Sequence, residues 1–215
     1  DGLRGGKGRV QDDKRQEVKF FSRGGESTAA PELHLGLLFD TSGSMDEDIA
    51  LSRTAAIKFL NALPEAVDVT LVDFDTEVRV ARYGQNDFAR LIERIRRRKP
   101  DGMTALYDAL GVYLHGAGSQ EGRKILVAYS DGGDNTSSIN YGDAVDLLKA
   151  SDVTMYMIGF LDHHLSSHQL DARSRLQRLT APTGGQAFFP SSLKDIEVAY
   201  EKVLADIKAQ YTLGY

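Results

Sequence analysis

Residues 35–60 read LGLLFDTSGSMDEDIALSRTAAIKFL, and this stretch decides the fold. An apolar run stops at Asp40, a short run of small residues follows, and apolar side chains then recur at helical spacing. A short, continuous apolar run is typical of a strand buried on both faces of a parallel sheet. The stretch therefore predicts a buried strand, a tight turn and a helix, which is how a βαβ unit begins.

The rest of the chain repeats this alternation. Apolar runs predict further strands at 67–74, 77–83, 124–130, 154–160 and within 184–190, and helical spacing predicts helices at 46–63, 86–98, 104–114, 143–151, 174–180 and 193–211. Asn86 is the predicted N-cap of the second helix. We expect an α/β doubly wound, mostly parallel sheet with helices on both faces.

This pattern divides the chain into two predicted segments. Residues 33–215 are predicted to form the main domain, and residues 1–32 an N-terminal arm and linker. Within the arm, residues 10–22 predict a two-stranded ribbon that turns at Asp13 and Lys14, with Val18, Phe20 and Phe21 as docking side chains after a loose tail.

Composition excludes several classes of protein. With 215 residues and 41% hydrophobic side chains, the chain can bury one sizeable core. A net charge of -5 argues against general nucleic-acid binding, and the basic run at 94–99 suits the end of a helix. There is no cysteine and no apolar run of about 20 residues that could span a membrane. The first residue is Asp1 and no signal peptide is visible, so we expect a segment of a longer protein.

Polar residues follow the predicted strands at the edge where a parallel sheet binds ligands. Asp40, Ser42 and Ser44 follow the first strand, Asp131 follows the strand at 124–130, and Thr104 begins a helix between them. In an extended segment, side chains two positions apart point the same way. This set contains only oxygen donors, which favours Mg²⁺, with Mn²⁺ or Ca²⁺ as alternatives. Mg²⁺ usually keeps waters, so one position could accept a Glu or Asp carboxylate of a partner protein.

The turn after the first strand has a second interpretation. Ser44 and Glu47 have the spacing of a capping box, which would merely begin the helix. The two interpretations are compatible. The coincidence of three separate segments, each at the correct end of its element, favours the cation site.

These residues resemble a known family. The pattern D-x-S-x-S at Asp40 to Ser44, G-x-T-A-L at 102–106 and S-D-G-x-D-N at 130–135 resembles the von Willebrand factor type A (VWA) domain and its metal-ion-dependent adhesion site (MIDAS). The resemblance covers about residues 33–210. It implies a Rossmann-like fold, in which the five oxygen ligands surround a divalent cation directly or through water, and Asp40 and Thr104 exchange these two roles.

A closer resemblance is to a bacterial VWA-related family best represented in Acidobacteria. The segment QDDKRQEVKFF at 11–21 is similar to a preceding E-D-G-x-x-Q-x-V pattern, and residues 210–215 match a closing Q-Y-x-L-G-Y. Asp13 and Lys14 depart from it, since Asp-Gly would be expected there. Chains of that family usually continue past the position of Tyr215. We expect an adhesion protein that is monomeric and lies outside the cytoplasm of a bacterium.

Other residues are predicted to line the rim of this site and contact a partner: Met45, Met103, Tyr107, Asp134, Asn135, His163, His164 and His168. Two of the histidines have the i, i+4 spacing of a zinc-binding helix, but no H-E-x-x-H general base is present. Solvated loop histidines are the commoner case.

An enzyme is the alternative from another class. Paired aspartates with Mg²⁺ could support phosphoester hydrolysis. Such enzymes need a second aspartate two residues after the nucleophile, where this chain has Ser42, and a basic residue that the three segments lack. We therefore predict a recognition module rather than an enzyme, and a structural module with a vestigial site is the third possibility.

Overall fold

This computed structural model describes residues 8–9, 15–16, 20–23, 31–63, 65–161, 167–209 and 211–214. The chain divides into two compact units. The larger unit comprises Glu32–Ala199, and the smaller comprises residues 1–31 together with 200–215. The predicted domain limits, 1–32 and 33–215, stay predictions.

The strands in chain order are β1 (Gly8–Arg9), β2 (Arg15–Gln16), β3 (Phe20–Arg23), β4 (Leu33–Asp40), β5 (Ala66–Phe74), β6 (Val78–Gly84), β7 (Arg123–Ser130), β8 (Val153–Gly159), β9 (Ala187–Phe188) and β10 (Tyr211–Gly214). The helices are α1 (Ile49–Ala62), α2 (Phe88–Arg97), α3 (Leu106–Ala117), α4 (Tyr141–Ala150), α5 (Ser167–Thr180) and α6 (Leu193–Ala209).

In the smaller unit, two antiparallel pairs are described. β1 pairs with β2, so the ribbon begins in the segment predicted to be a loose tail, which corrects that prediction. β3 pairs with β10, which joins the two segments that carried the closer resemblance. Asp13, Lys14 and Val18 lie outside the described residues, and so do the side chains of Phe20 and Phe21.

The larger unit contains a six-stranded sheet in the order β6-β5-β4-β7-β8-β9. All neighbouring pairs are parallel except β5 and β6, which are antiparallel. The predicted α/β fold is confirmed. The chain leaves β4 on one side to form β5 and returns on its other side as β7, so the carboxyl ends of β4 and β7 flank the switch point where such sheets bind ligands.

Both faces of the sheet are buried. Leu38, Val72 and Leu126 belong to one apolar cluster with residues of α3, α4 and α5. The intervening side chains Leu37 and Phe39 point to the opposite face, because side chains alternate along a strand, and they are fully buried as well. This two-sided burial accounts for the continuous apolar run of β4.

The start of α2 differs from the prediction. A 3-10 turn occupies Gln85–Asp87, and Asp87 rather than Asn86 takes the N-cap position. Asn86 is not the cap because the 3-10 turn delays the start of α2 to Phe88, one residue later than predicted. Leu91 and Ile95 of α2 are fully buried. Across the part of the chain that is described, no helix is both long and apolar enough to cross a membrane.

Candidate metal centre

The first loop of the site begins where β4 ends. A 3-10 turn at Gly43–Met45 follows, and Asp48 takes the N-cap position of α1, although its side chain makes no capping hydrogen bond to the helix. The hydroxyl of Ser44 lies 3.0 Å from that of Ser42 and does not begin the helix. The predicted capping box of Ser44 and Glu47 is therefore wrong, because the 3-10 turn moves the start of α1 to Ile49.

Asp40 is a fully buried carboxylate at the end of β4. Its Oδ1 accepts a hydrogen bond from the Ser42 backbone N–H at 2.9 Å, and its Oδ2 accepts one from the Ser130 hydroxyl at 2.6 Å. Burial raises the pKa of Asp40 to about 7 despite these bonds, and nearby Asp131 acts in the same direction. Within the described residues, no cationic side chain pairs with Asp40.

Asp73, at the end of the neighbouring β5, is equally buried but has the opposite environment. Arg94 and Arg98 place guanidinium nitrogens 2.5 and 2.6 Å from its carboxylate, and Arg79 lies 3.9 Å away. These arginines offset the negative charge of Asp73, which is not part of the site. The comparison shows that the fold supplies a counter-charge to one buried carboxylate and not to the other.

The second loop carries Thr104, whose side chain is almost completely buried. Both backbone polar groups of Thr104 bond to Asn135: its N–H donates to the Asn135 Oδ1 at 2.8 Å, and its carbonyl accepts from the Asn135 N–H at 3.0 Å. The backbone that carries the Thr104 hydroxyl therefore cannot shift independently of the loop after β7, which contains Asn135.

The same loop also bonds to the first. Gly43 N–H donates to the Gly102 carbonyl at 3.1 Å, and Asp101 N–H donates to the Thr41 carbonyl at 2.9 Å. Gly102 has φ 72°, and a Cβ there would lie 2.5 Å from the Thr76 hydroxyl oxygen, so this position requires glycine. Direct hydrogen bonds therefore connect all three loops through the segment around Thr104.

The third loop carries Asp131, which is half-buried. Its Oδ1 accepts from the Gly133 N–H at 2.8 Å. A Cβ built at Gly133 would be 3.1 Å from that carboxylate oxygen and 3.9 Å from the Thr104 hydroxyl oxygen. Both oxygens thus lie within 4 Å of one point.

Residues 134–139 of this loop cap the N-terminus of α3. The N–H of Tyr107 donates to Asp134 Oδ2 at 2.9 Å, and that of Asp108 donates to the Ser137 hydroxyl at 3.0 Å. The Asp108 carboxylate in turn accepts the N–H groups of Ser138 and Ile139. No local sequence signal could reveal these bonds, since their partners are about 30 positions apart.

The donor chemistry fits a hard divalent cation. The five predicted ligands offer two carboxylates and three hydroxyls, all oxygen, and one carboxylate lacks a counter-charge. Groups of three or more His, Cys, Asp or Glu side chains suited to a metal do not occur among the described residues. A cation here would therefore depend on the hydroxyls of Ser42, Ser44 and Thr104.

A comparison with protein families decides the identity of the chain. The model of the von Willebrand factor type A domain matches residues 34–202. The chain belongs to this family. No curated protein matches the chain in sequence.

Solved structures share the VWA fold. The minor pilin PilB from Streptococcus sanguinis has a TM-score of 0.67 at 15% identity, covering 85% of this chain and 63% of the pilin. A von Willebrand factor type A protein from Catenulispora acidiphila has a TM-score of 0.60 at 17% identity, covering 84% of this chain and 43% of that protein. The vWF domain of the type V pili tip protein Mfa5 from Porphyromonas gingivalis has a TM-score of 0.66 at 12% identity, covering 85% of this chain and 98% of that domain. The chain spans less than two thirds of the first two structures.

The predicted rim of the VWA domain requires correction at two positions. Met45 is fully buried and Tyr107 is only 7% exposed, so neither side chain is available to line the rim. Met103 is 50% exposed. Asp134 and Asn135 are engaged in the internal bonds described above. His163, His164 and the side chain of His168 lie outside the described residues.

Proposed function

We propose that this VWA domain is a divalent-cation-dependent protein recognition module. In this proposal Asp40, Ser42, Ser44, Thr104 and Asp131 form a MIDAS-type site that holds Mg²⁺, with Mn²⁺ or Ca²⁺ as substitutes. The partner is a protein that offers a Glu or Asp carboxylate.

One observation carries the proposal: Asp40 is fully buried at the junction of the three loops without a cationic neighbour among the described residues. Burying an unpaired carboxylate is costly, and proteins offset that cost with a cation or a proton. Asp73, which has its arginines, shows that this fold can place a basic side chain beside a buried carboxylate.

Each residue has a distinct task in such a site. Asp40 and Asp131 supply negative charge from two strands, and the neutral hydroxyls supply the remaining oxygens. Ser44 is exposed and Asp131 is half-buried, so the site is open to solvent on their side. A bound Mg²⁺ with few carboxylate ligands would leave a coordination position for a partner's carboxylate.

A location at the cell surface is part of the proposal. Two of the structures with this fold come from a minor pilin and a pilus tip protein. We therefore propose an adhesive role outside the cytoplasm of a bacterium. Membership of the Acidobacteria-type subfamily is also proposed, and the pairing of β3 with β10 supports it because it joins the two segments that resemble that family.

Calorimetric titration with Mg²⁺ and Mn²⁺ tests the metal site. Wild-type protein should bind one ion, whereas Asp40→Ala and Thr104→Ala should bind at least about 10-fold more weakly, the usual cost of losing a metal ligand or its support. Asp46→Asn is the matched control, since it removes an exposed charge close to the site but no predicted ligand. Absence of binding by the wild type at millimolar metal would refute the proposal.

A pull-down from an extract of the source organism tests the recognition step. Partner capture should require Mg²⁺ and should be lost with chelator and in Asp40→Ala. Capture that persists in both conditions would show that the site is not used. Hydrolysis of generic phosphoesters that Asp40→Ala abolishes would instead identify an enzyme.

A further inference from the structure

Asn135 lies outside the predicted ligand set, but it bonds twice to the backbone of Thr104, a predicted ligand on another loop. Its Oδ1 and its backbone N–H bond to the N–H and the carbonyl of Thr104, at 2.8 and 3.0 Å. A residue held at both of its backbone polar groups cannot rotate or slide relative to its partner. Thr104 therefore keeps a fixed relation to the segment that contains Asn135.

That segment also contains Asp131. Only three residues separate the two, and Gly132 has φ 81°, with the side chain of Leu176 3.0 Å from where a Cβ would be. The Gly133 N–H fixes the carboxylate of Asp131. Asn135 thus connects Thr104 to the loop that carries the other ligand.

We propose that Asn135 is a positioning residue of the metal site, which sets the separation between the Thr104 hydroxyl and the Asp131 carboxylate through its side-chain oxygen. This inference rests on the proposed function. It assigns to Asn135 a role different from contact with a partner.

The side chain of Asn135 can be replaced without disturbing the core. Asn135 is exposed, so truncation of its side chain leaves no cavity in the core. Asn135→Ala removes the oxygen that accepts from Thr104, whereas Asn135→Asp keeps an oxygen at the same place. Ser137→Ala is the matched control: it removes hydrogen bonds of the same loop to Asp108 and Asp134 but none to Thr104.

The experiment measures Mn²⁺ affinity of the full 215-residue chain by electron paramagnetic resonance of free Mn²⁺, with melting temperatures in EDTA as a measure of the fold. Asn135→Ala should weaken Mn²⁺ binding about 10-fold to 100-fold, the effect typical of residues that orient metal ligands. Asn135→Asp should bind at least as tightly as wild type. Ser137→Ala should lower the melting temperature about as much as Asn135→Ala but keep Mn²⁺ affinity within about twofold, because a loop bond remote from the ligands does not orient them.

Each contrary result has a separate meaning. Failure of the wild type to bind Mn²⁺ would refute the proposed function itself. Wild-type binding with equal losses in Asn135→Ala and Ser137→Ala would show a general effect of loop stability and overturn the positioning role. Weak binding by a folded Asn135→Asp would show that the acceptor oxygen is not what matters and would also overturn it.

Discussion

At the scale of single residues, two buried aspartates with opposite surroundings define the chemistry of this edge of the sheet. Asp73 is surrounded by arginines, and its charge is offset within the fold. Asp40 accepts hydrogen bonds from neutral donors and has a raised pKa because it is buried. The two carboxylates should therefore respond in opposite ways when each is replaced by an amide.

Asp40→Asn should make the stability of the metal-free protein less dependent on pH. The pKa of Asp40 is about 7 in the fold and 3.8 ordinarily, so the folded chain holds the proton more tightly. Protonated Asp40 therefore contributes to the free energy of unfolding. This contribution is fully present below about pH 4 and is lost as the pH rises through 7. Urea unfolding in EDTA from pH 5 to 8 should show the stability of Asp40→Asn rising relative to that of the wild type with increasing pH, by about 3 kcal/mol.

Asp73→Asn is the control for that measurement. It leaves Arg94 and Arg98 without their counter-charge and should lower the free energy of unfolding by about 2 to 4 kcal/mol across this pH range. If Asp40→Asn were destabilising in the same way, Asp40 would have a cationic side chain as its partner in solution, and no bound cation would be needed to offset its charge.

At the scale of elements, the site depends on three loops whose backbones bond to each other. The Thr104 loop bonds to both of the others, and it begins at Gly102, whose backbone conformation suits glycine. Changes to the backbone there should therefore affect metal binding even though Gly102 offers no ligand.

Gly102→Ala should reduce both stability and Mg²⁺ affinity. The left-handed conformation costs a residue with a Cβ about 1 to 3 kcal/mol, and relief of the contact with Thr76 would displace Thr104. Gly116→Ala is the control, since that helical glycine has open space around it and should gain about 0.5 to 1 kcal/mol. Thermal melts with and without Mg²⁺ measure both effects. Unchanged affinity in Gly102→Ala would show that the loop adapts without moving Thr104.

Sequence patterns predicted β4, β5, β7 and β8 well because these strands are largely buried, and they predicted the helices well because apolar residues recur there at helical spacing. β4, β7 and β8 are found within a residue or two of the predicted limits. The capping box and the Asn86 cap were wrong because Ser44 and Asn86 lie within 3-10 turns, which shift the start of the following helix. The roles of Asn135 and Asp108 could not be predicted, because their partners are distant in sequence and meet only in the folded chain.

At the scale of the whole molecule, a cation bound to the folded state alone would stabilise the entire larger unit by mass action. Mg²⁺ at 100 times its dissociation constant should add about 2.7 kcal/mol to the free energy of unfolding. For a chain of this size that corresponds to a rise of about 5 to 10 °C in melting temperature. Differential scanning calorimetry should show this rise in wild type and its loss in Asp40→Ala. An equal rise in both proteins would indicate a general salt effect.

The hydrogen bond between Ser130 and Asp40 has a consequence for the order of folding. It joins residues 90 positions apart, and the ligands it brings together come from opposite sides of the switch point of the sheet. An unfolded chain has no pair of these loops near enough to hold an ion, and closing so long a segment is slow. A cation at this site could therefore not nucleate the fold. Its binding would mark the completion of folding, so only chains with a finished sheet would bind the ion.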